Sequence, residues 1–591
     1  GKGVLVNPNG VLFGEGAAVN VGALVASTLS LSNEDFNDGN YQFQGDGNNA
    51  AVVNHGSITA DGGAVALLGG QVSNHGIIQA NQGTVALAAG DKITLDFAGD
   101  GLLNVTVDEG TIDALVENHQ LIRANGGQVV MTANASNALL QTVVNNTGII
   151  EAQTLENQSG TIVLKGGFNG GTVNVAGTLD ASAPDSGDGG FVDTSGAHVK
   201  IADGTRVTTK ANNGTTGEWL IDPTDFTISA GSEALSESGI GADTLSDSLS
   251  RNNVTLETPD AGSDAGDLYV NGAVSWDADT TLSLDAHNDI HINEAIIATN
   301  GGLTLNAGGE ISAGGAVNVG TFNLQSGDWT QLGATLSDFS ARDFRFNTAN
   351  ASFLRATSGD GSEGNAYRIF DIYGLQGMAS RSLLSSDFTL TSTLDASGTA
   401  NWNGGAGFDP IGDWDNRYTG DFDGGGHIIY GLTINRAGTS RVGLFGAVSG
   451  SHISHIGLQN VSIRGQYSVA GLVGQGFNNS QISQSYVQGD IVGSTWTGGL
   501  AGNFNGTIEH SYSSGSVEGS FDREVGGLVG SMDGQITDSY SSAAVEGDQS
   551  VGGLVGHMNG SISRSYATGS VQSRVWYAGG LVGWMDGASI S

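Results

Sequence analysis

The chain has 591 residues, of which 97 are glycine and 5 are proline, and it contains no cysteine. So much glycine with so little proline excludes collagen and proline-rich linkers, and the lack of cysteine excludes disulfides and thiolate metal sites. The 60 acidic residues outnumber the 20 basic ones, for a formal net charge of -40, so nucleic acid is not an expected partner, because phosphate binding needs clustered Lys and Arg.

Residues 53–152 repeat a short pattern with a period of about 20 residues, which is typical of stacked-coil proteins. The segment Val53-Asn-His-Gly-Ser-Ile-Thr-Ala60 returns as Val72-Ser-Asn-His-Gly-Ile-Ile-Gln-Ala80, and variants follow at 118–124 and 146–152. Alternating apolar residues predict short strands, and the glycines predict turns between them. Two or three short strands per repeat describe a parallel β-helix.

A polar pair recurs at the same place in these repeats, at Asn54-His55, Asn74-His75 and Asn118-His119. Equivalent residues of adjacent coils stack in a β-helix, so we expect the asparagine amides to bond to one another from coil to coil. The histidines would also lie near one another, and a metal site is the alternative interpretation of the spacing.

Three features of the first third resemble a known family. Val6-Asn-Pro-Asn-Gly-Val11, Ala23-Leu-Val-Ala-Ser-Thr-Leu29 and the Asn-x-Gly-x-Ile repeats are similar to the secretion domain of two-partner-secretion exoproteins, the filamentous haemagglutinin and high-molecular-weight adhesin group. The resemblance implies export by a dedicated outer-membrane β-barrel transporter. It also implies a secretion motif, which consists of Asn7, Pro8, Asn9 and Gly10.

The whole chain is therefore expected to be all-β, a right-handed parallel β-helix rod with a few irregular loop insertions. Residues 1–217 would form the secretion domain without its N-terminal part, since the chain opens abruptly. The resemblance implies a secreted protein at the cell surface or in the extracellular matrix of a Gram-negative bacterium. No apolar run reaches the roughly 18 residues of a membrane span, so no direct membrane insertion is expected.

The middle of the chain is less regular. Residues 218–365 are predicted to form further β-helix coils with an acidic, Ser- and Gly-rich loop insertion at about 231–265. Residues 366–440 are predicted to be an irregular, aromatic-rich junction, with a short helical turn around 375–378.

Alternating carboxylates in this junction resemble the start of a calcium loop. They lie in Asp413-Trp-Asp415 and Asp421-Phe-Asp-Gly424, which makes Asp413, Asp415, Asp421 and Asp423 candidate ligands for Ca²⁺. The downstream glutamate of a full EF-hand loop is missing. A structural β-turn is the alternative.

Residues 441–591 contain Gly-Leu-x-Gly at a regular spacing. Its leucines are separated by steps of 28, 28, 28, 26 and 27 residues and lie at Leu444, Leu472, Leu500, Leu528, Leu554 and Leu581. We expect these leucines to face the core, and the tyrosines that repeat with them to pack between coils. The array resembles the GLUG repeat of large bacterial surface proteins, and it ends inside a repeat, as a truncated array would. A secretion domain followed by such repeats is most similar to the CdrA-type biofilm-matrix adhesins, which bind exopolysaccharide.

Several aromatic residues interrupt these regular patterns. The candidates for glycan binding are Trp402, Trp414, Trp496, Trp576, Tyr577 and Trp584. Aromatic rings pack on the apolar CH surface of sugars, while neighbouring polar side chains bond the hydroxyls. The alternative is that each ring fills the core.

The expected function is a secreted adhesin that binds exopolysaccharide or host glycans and promotes aggregation and biofilm formation. A passive stalk of a larger surface protein is one alternative. A polysaccharide lyase or hydrolase on the same fold is another, but it needs a basic residue beside calcium or paired carboxylates in one groove. No lysine follows Lys210, and the arginines near 340–370 have no acidic motif beside them. The chain is therefore not expected to be an enzyme.

Overall fold

A computed structural model describes residues 2–97, 103–136, 141–262 and 264–591. It contains two compact units: unit 1 comprises residues 1–321 and 337–340, and unit 2 comprises residues 322–336 and 341–591. This division is coarser than the four segments predicted from the sequence. Long parallel sheets run through each unit, which confirms the predicted all-β fold and the β-helix solenoid.

Three parallel sheets form the coils of unit 1. Sheet A contains Lys2–Val6, Ala23–Ser27, Ala64–Gly69, Thr84–Ala89, Gln128–Ala133, Thr161–Gly166, Phe191–Ser195, Glu218–Asp222, Asn253–Thr258, Thr281–Ala286 and Ile296–Ala307, with Val274–Ser275 beside the last. Sheet B contains Val11–Phe13, Ala51–Asn54, Gln71–Asn74, Leu115–Asn118, Thr142–Asn146, Thr172–Val175, His198–Ile201, Gly239–Gly241, Phe226–Ser229, Leu268–Val270, Ile290–Ile292 and Glu310–Ala313. Sheet C contains Ala18–Asn20, Ser57–Thr59, Ile77–Gln79, Leu121–Arg123, Ile149–Glu151, Thr178–Asp180 and Arg206–Thr208.

In sheet A, the strand register pairs equivalent residues of neighbouring coils. Val65 pairs with Val85, and Val85 with Val129, and all three are fully buried. Successive side chains of a strand point to opposite faces, so every second residue faces the interior. Because equivalent residues of neighbouring coils pair, these inward residues form a continuous apolar column through the coils. This column is the core of unit 1.

The predicted asparagine ladder is present in sheet B. The side-chain amide of Asn54 donates to Asn74 Oδ1, that of Asn74 to Asn118 Oδ1, and that of Asn118 to Asn146 Oδ1, each at 2.8 Å. All four residues are fully buried. The ladder accounts for the spacing of the Asn-His pairs.

The histidine rings lie outside this ladder in a parallel stack. The ring centroids of His55 and His75 are 5.0 Å apart, and those of His75 and His119 are 4.6 Å apart. Burial and the charges of the two neighbouring imidazoles lower the pKa of His75. Parallel rings at this spacing do not aim their nitrogens at one shared point, so the metal alternative gains no support from the geometry.

A small side sheet leaves the coils early in unit 1. Its antiparallel strands are Tyr41–Gln44, Lys92–Asp96 and Asn104–Glu109. The side chains of Phe43, Ile93 and Leu95, on two of these strands, are buried in an apolar cluster. A six-residue helix, Asn33–Asp38, precedes the sheet and is capped by Ser32, whose hydroxyl accepts the N–H of Asp35.

The acidic stretch at 231–265 differs from the predicted loop. It contains the strand Gly239–Gly241, the helix Ala242–Leu249 and the strand Asn253–Thr258. Leu245 and Leu249 of the helix are fully buried, which explains why the stretch folds back onto the coils. Sequence alone missed this helix because it is only eight residues long and mostly polar.

The chain changes unit three times: within the strand Val317–Leu324, between residues 336 and 337, and within the strand Phe339–Phe346. In unit 2, Gly327–Leu332 pairs in parallel with Ala351–Ala356. The helix Ile372–Gly377 confirms the predicted helical turn, and two 3₁₀ segments follow, at Arg381–Leu383 and Ser397–Gly405.

Two further parallel sheets form the coils of unit 2. Sheet D contains Tyr367–Ile369, Phe388–Leu390, Phe422–Asp423, Phe445–Ser449, His452–Ser454, Val473–Ser483, Ala501–Glu509, Val529–Thr537, Val555–Ser563, Val582–Met585 and Ser589–Ile590. Sheet E contains Leu394–Asp395, Ile428–Tyr430, Thr433–Asn435, Gly457–Arg464, Tyr467–Ala470, Tyr486–Gly498, Tyr512–Gly526, Tyr540–Ser541, Ala544–Gly547, Val551–Gly552, Tyr566–Ala567, Val571–Ser573 and Ala578–Gly579.

The Gly-Leu-x-Gly array is buried as predicted except at Leu581, the leucine of the sixth repeat, which is only partly buried. Its first five leucines are fully buried: Leu444, Leu472, Leu500, Leu528 and Leu554. The tyrosines form a nearly parallel stack along sheet E, with centroids 4.8 to 5.0 Å apart, at Tyr486, Tyr512, Tyr540 and Tyr566. Across the described ranges, the chain has no helix with the length and apolar character of a membrane span.

Candidate functional site

The Asn-Pro-Asn-Gly element forms an exposed turn between the first strands of sheets A and B. Gly10 donates its N–H to the carbonyl of Asn7 at 3.1 Å, and the Asn7 side-chain amide donates to the Gly10 carbonyl at 2.9 Å. Gly10 has a φ of 120°, which side-chain-bearing residues rarely adopt. The turn is therefore fixed by its own residues, and Pro8 and Asn9 stay exposed at its tip.

Asp413 and Asp415 lie together in one exposed turn of unit 2. Asp413 Oδ1 accepts the backbone N–H of Asp415 at 2.8 Å, and the backbone N–H of Asn416 at 2.7 Å. The side-chain amide of Asn416 donates to the same oxygen at 3.2 Å. A carboxylate that closes its own turn in this way is the alternative weighed against a calcium ligand.

Asp421 and Asp423 bond to the next coil instead. Asp421 Oδ1 accepts the N–H of His452 at 2.8 Å, and Asp423 Oδ1 lies 3.1 Å from Nδ1 of His455. Within the part of the chain that the structure describes, no three His, Asp or Glu side chains are grouped to hold a metal. The four candidate carboxylates are thus not brought together, because Asp413 closes a turn and the other pair joins coils, which corrects the expectation of one calcium loop.

Trp402 is buried in the core of unit 2. Its side chain is 1% exposed, and its ring stacks on Tyr373 at 5.3 Å and contacts Phe344 at 5.2 Å. No ring face is open to a sugar. This corrects the expectation that Trp402 binds glycan: it fills the core of the junction.

Trp414, by contrast, is 47% exposed and lies in an aromatic and basic cluster. Its ring packs edge-on against Phe477 at 5.5 Å. The guanidinium carbon of Arg417 lies 3.9 Å from the Phe477 centroid and 5.0 Å from that of Trp414, and the guanidinium of Arg441 lies 4.3 Å from the Trp414 centroid. These are cation–π contacts, which hold both arginines beside the indole.

Two adjoining cavities of about 150 and 580 Å³ open beside this cluster, and Arg381, Leu384 and Asn416 line both. We call them together the Trp414 cleft. The larger one is also lined by Ser385, Trp414, Asp415, Arg417, Thr419 and Ser449. The smaller one reaches Asp409, Asp413, Thr439, Ser440 and Arg441. Hydroxyls, amides, guanidinium groups and one indole therefore face the same space.

The charges of the smaller cavity perturb one another. Burial, together with the positive charge of Arg417, lowers the pKa of Arg441. Burial raises the pKa of Asp409 and the charge of Asp413 adds to it, although the guanidinium of Arg436, 3.1 Å away, acts in the opposite direction. Arg417 lines the larger cavity and Arg441 the smaller one, and the two are near enough for the charge of one to affect the pKa of the other.

The remaining candidates lie elsewhere in unit 2. Trp576, Tyr577 and Trp584 form an exposed group, with Tyr577 edge-on to Trp584 at 5.3 Å and to Trp576 at 6.4 Å. Trp496 is half-buried and has a positive φ of 54°. Neither position shares a cavity with Trp414.

Sequence reasoning missed the arginines of the cleft. Arg381, Arg417 and Arg441 are far apart in the sequence, and nothing repeats around them. The one available signal was local: eight of the fifteen arginines lie between 342 and 441 in a chain that is otherwise strongly acidic.

Comparison with known proteins places these features in context. Residues 1–181 match the family model described as the TPS secretion domain, and residues 547–572 match the GLUG motif. Over 188 residues the chain is 34% identical to the heme/hemopexin-binding protein of Haemophilus influenzae, covering 28% of this chain and 20% of that protein. Over 152 residues it is 36% identical to Halomucin of Haloquadratum walsbyi, covering 24% of this chain and 2% of that protein.

Among solved structures, the HMW1 secretion domain from Haemophilus influenzae is similar to this chain. It is 23% identical with a TM-score of 0.35, over 54% of this chain and 79% of that one. The chain spans a fifth or less of the length of the two relatives named above. A TPS secretion domain implies export through an outer-membrane partner transporter. The chain therefore carries a two-partner-secretion domain at residues 1–181 and a GLUG motif at residues 547–572, and it is a secreted protein of Gram-negative bacteria.

Proposed function

We propose that this chain is an adhesin of the cell surface or extracellular matrix, which binds exopolysaccharide or host glycans and so promotes aggregation and biofilm formation. The observation that carries the proposal is the Trp414 cleft. Exposure of the apolar surface of Trp414 to water costs free energy, which a ligand that covers the ring would recover. The ring also borders a cavity lined by hydroxyl, amide and guanidinium groups. Apolar and polar groups in one open cleft match the two kinds of surface that a sugar presents.

The exposed C-terminal group of Trp576, Tyr577 and Trp584 is the second proposed contact. Separate weak sites on one chain raise the overall affinity for a polymer, because the second contact forms at a high effective concentration once the first has formed. Under this proposal the protein holds a polysaccharide without cleaving it. The exposed Asn7–Gly10 turn is proposed as the element that the partner transporter reads during export.

Binding of the purified chain to immobilised polysaccharides tests the proposal. The panel contains isolated biofilm exopolysaccharide and defined neutral and acidic polymers, each with and without calcium. We expect binding that Trp414→Ala weakens about tenfold and Trp496→Ala less, since loss of a buried aromatic contact costs about 1 kcal/mol or more. Phe36→Ala removes an equally exposed aromatic ring of unit 1, 47% exposed, and should leave binding unchanged.

Other outcomes would replace the proposal. Absence of binding to every polysaccharide of the panel would favour a passive stalk of a larger surface protein, with the binding part outside this chain. New reducing ends or unsaturated products after incubation would show an enzyme acting on the polymer. Binding that requires calcium and is lost in Asp421→Asn would restore a metal role for the carboxylates of the junction.

A further inference from the structure

Three arginines of the Trp414 cleft are not neutralised by contact with carboxylates. Arg436, which lines neither cavity, pairs with Asp409 of the smaller cavity at 3.1 Å. Arg381, Arg417 and Arg441 form no such pair anywhere in the ranges that the structure describes. In a chain with 60 acidic residues, three neighbouring guanidinium groups without a carboxylate partner are an unusual arrangement.

Aromatic rings, not acids, hold two of these groups in place. Arg417 lies against Phe477 and Trp414, and Arg441 against Trp414. Their only side-chain hydrogen bonds in the described structure use Nε: that of Arg417 donates to the Trp414 carbonyl at 3.3 Å, and that of Arg441 to Gln475 Oε1 at 2.7 Å. A guanidinium held by ring faces keeps its terminal N–H donors available in its own plane.

We propose that the Trp414 cleft binds an acidic saccharide unit, whose carboxylate or sulfate group is held by Arg417 and Arg441, with Arg381 facing it and the sugar body against the exposed part of Trp414. The proposal rests on the proposed glycan-binding function and names the substrate class. Arginine recognises planar and tetrahedral oxyanions through paired N–H donors, and such pairs are stronger than bonds to neutral groups. A neutral sugar would leave two neighbouring cations uncompensated.

The acidic groups of the cleft do not cancel this charge. The Asp413 carboxylate accepts four hydrogen bonds within its own turn, and Asp409 is paired with Arg436. Asp415 is exposed on the rim of the larger cavity, where it opposes an incoming anion. The remaining negative charge of the chain acts weakly at the cleft, because salt at physiological strength screens charges beyond about 8 Å.

The test uses the full chain and four defined polymers: polygalacturonate, the same polymer after carboxyl reduction, dextran sulfate and dextran. We expect one or both anionic polymers to bind at least about tenfold more tightly than their neutral counterparts, and the affinity to fall as sodium chloride rises. Preference for polygalacturonate identifies a carboxylate ligand, and preference for dextran sulfate identifies a sulfate ligand.

Substitutions locate the effect at the cleft. Arg417→Gln and Arg441→Gln should each weaken anionic binding about tenfold and weaken neutral binding by a clearly smaller factor, because Gln still offers hydrogen bonds to hydroxyls but no positive charge. Asp415→Asn should strengthen anionic binding several-fold, a gain that a damaged fold cannot produce. Arg464→Gln removes the same charge from an exposed position of unit 2 that lines neither cavity, and it should have no effect.

The two proposals fail differently. Equal binding of charged and neutral polymers, both sensitive to Trp414→Ala, would overturn the acidic class and keep the adhesin. Anionic binding that falls as much in Arg464→Gln as in Arg417→Gln would also overturn it, as a diffuse charge effect. Absence of binding to all four polymers and to biofilm exopolysaccharide would overturn both.

Discussion

The side-chain amide of Asn74 donates to the side-chain oxygen of Asn118 at 2.8 Å, although the two residues are 44 positions apart in the sequence. Asn74 in turn accepts from Asn54 at 2.8 Å, so each amide is donor to one coil and acceptor to the other. Because both residues are fully buried, no water can replace either bond. The ladder fixes the register of the three coils that contain Asn54, Asn74 and Asn118, because each amide must lie opposite the next.

Asn74→Ala should therefore destabilise unit 1 by about 3 kcal/mol, since it leaves the buried Asn54 donor and Asn118 acceptor unsatisfied. Urea unfolding followed by the fluorescence of the buried Trp219 measures the loss. Asn37→Ala makes the same change at an exposed position and should alter stability by less than about 0.5 kcal/mol. Equal stability of the two variants would contradict a structural role for the ladder.

A second ladder is formed by the glycine of a Gly-x-Ile sequence that repeats in unit 2, at Gly506, Gly534 and Gly560. Gly534 has a φ of 145°, and a Cβ there would lie 2.0 Å from the carbonyl oxygen of Gly506 in the previous coil. Gly560 meets Gly534 in the same way, also at 2.0 Å. A side chain at either position would force adjacent coils apart.

Gly534→Ala should lower the free energy of unfolding of unit 2 by roughly 3 kcal/mol or more, because positive φ and the backbone clash both oppose the methyl group. Hydrogen exchange should accelerate over Ala501–Glu509 and Val555–Ser563, the strands on either side. Gly580→Ala is the matched control, since a Cβ there meets nothing within 4 Å. Unchanged exchange in Gly534→Ala would show that the coils accommodate the methyl group without losing their hydrogen bonds.

These ladders could be predicted from the sequence because each repeats at a fixed period. In a β-helix, residues that are one period apart lie next to each other in adjacent coils. The burial of Leu472, the stack of Tyr512 and the bonding of Asn74 all follow from that one rule. The Trp414 cleft could not be predicted in this way. Its position depends on an irregular segment that brings Trp414 and Arg417 against Phe477, a residue of a regular strand some 60 positions later.

Irregular sequence also explains why the prediction of Trp402 as a glycan-binding residue was wrong. Exposure of an aromatic residue in irregular sequence depends on which coil lies over it, and Trp402 is covered by Tyr373 and Phe344. Trp414, twelve residues later in an equally aromatic-rich segment, is exposed. No local pattern distinguishes the two.

Tyr512 lies between two parallel rings, at 4.8 Å from both Tyr486 and Tyr540. Burial, with a smaller contribution from the two neighbouring phenols, raises its pKa. Tyr512→Ala should cost about 2 kcal/mol in unit 2, since it removes two ring contacts, whereas Tyr512→Phe keeps both and should cost less than about 1 kcal/mol. Thermal unfolding by circular dichroism measures the difference. Equal losses in the two variants would place the stabilisation in the hydroxyl and not in the stack.

Asp222 carries a carboxyl group that is poorly accommodated when charged. Its Oδ1 is buried without a hydrogen-bond partner within the described structure. Burial, followed by the negative charges of Glu257 and Asp193, raises the pKa of Asp222 to about 7, and Lys165 only partly opposes this. An unfolded aspartate has a pKa of about 3.9. Between these two values the folded protein binds a proton that the unfolded chain does not, so this group favours folding at low pH and the benefit is lost as pH rises to about 7.

Asp222→Asn imitates the protonated acid and should remove this loss. Near pH 4 the variant and the native chain should have the same free energy of unfolding. At pH 8 the variant should be more stable by about 2 kcal/mol, a value reduced from the full linkage because the carboxyl is partly exposed. Urea titrations at both pH values, followed by the fluorescence of neighbouring Trp219, measure the difference, and carboxyl groups that do not interact with Asp222 cancel in the comparison. A variant that is less stable than the native chain at pH 8 would show that the Asp222 charge is compensated in the folded protein.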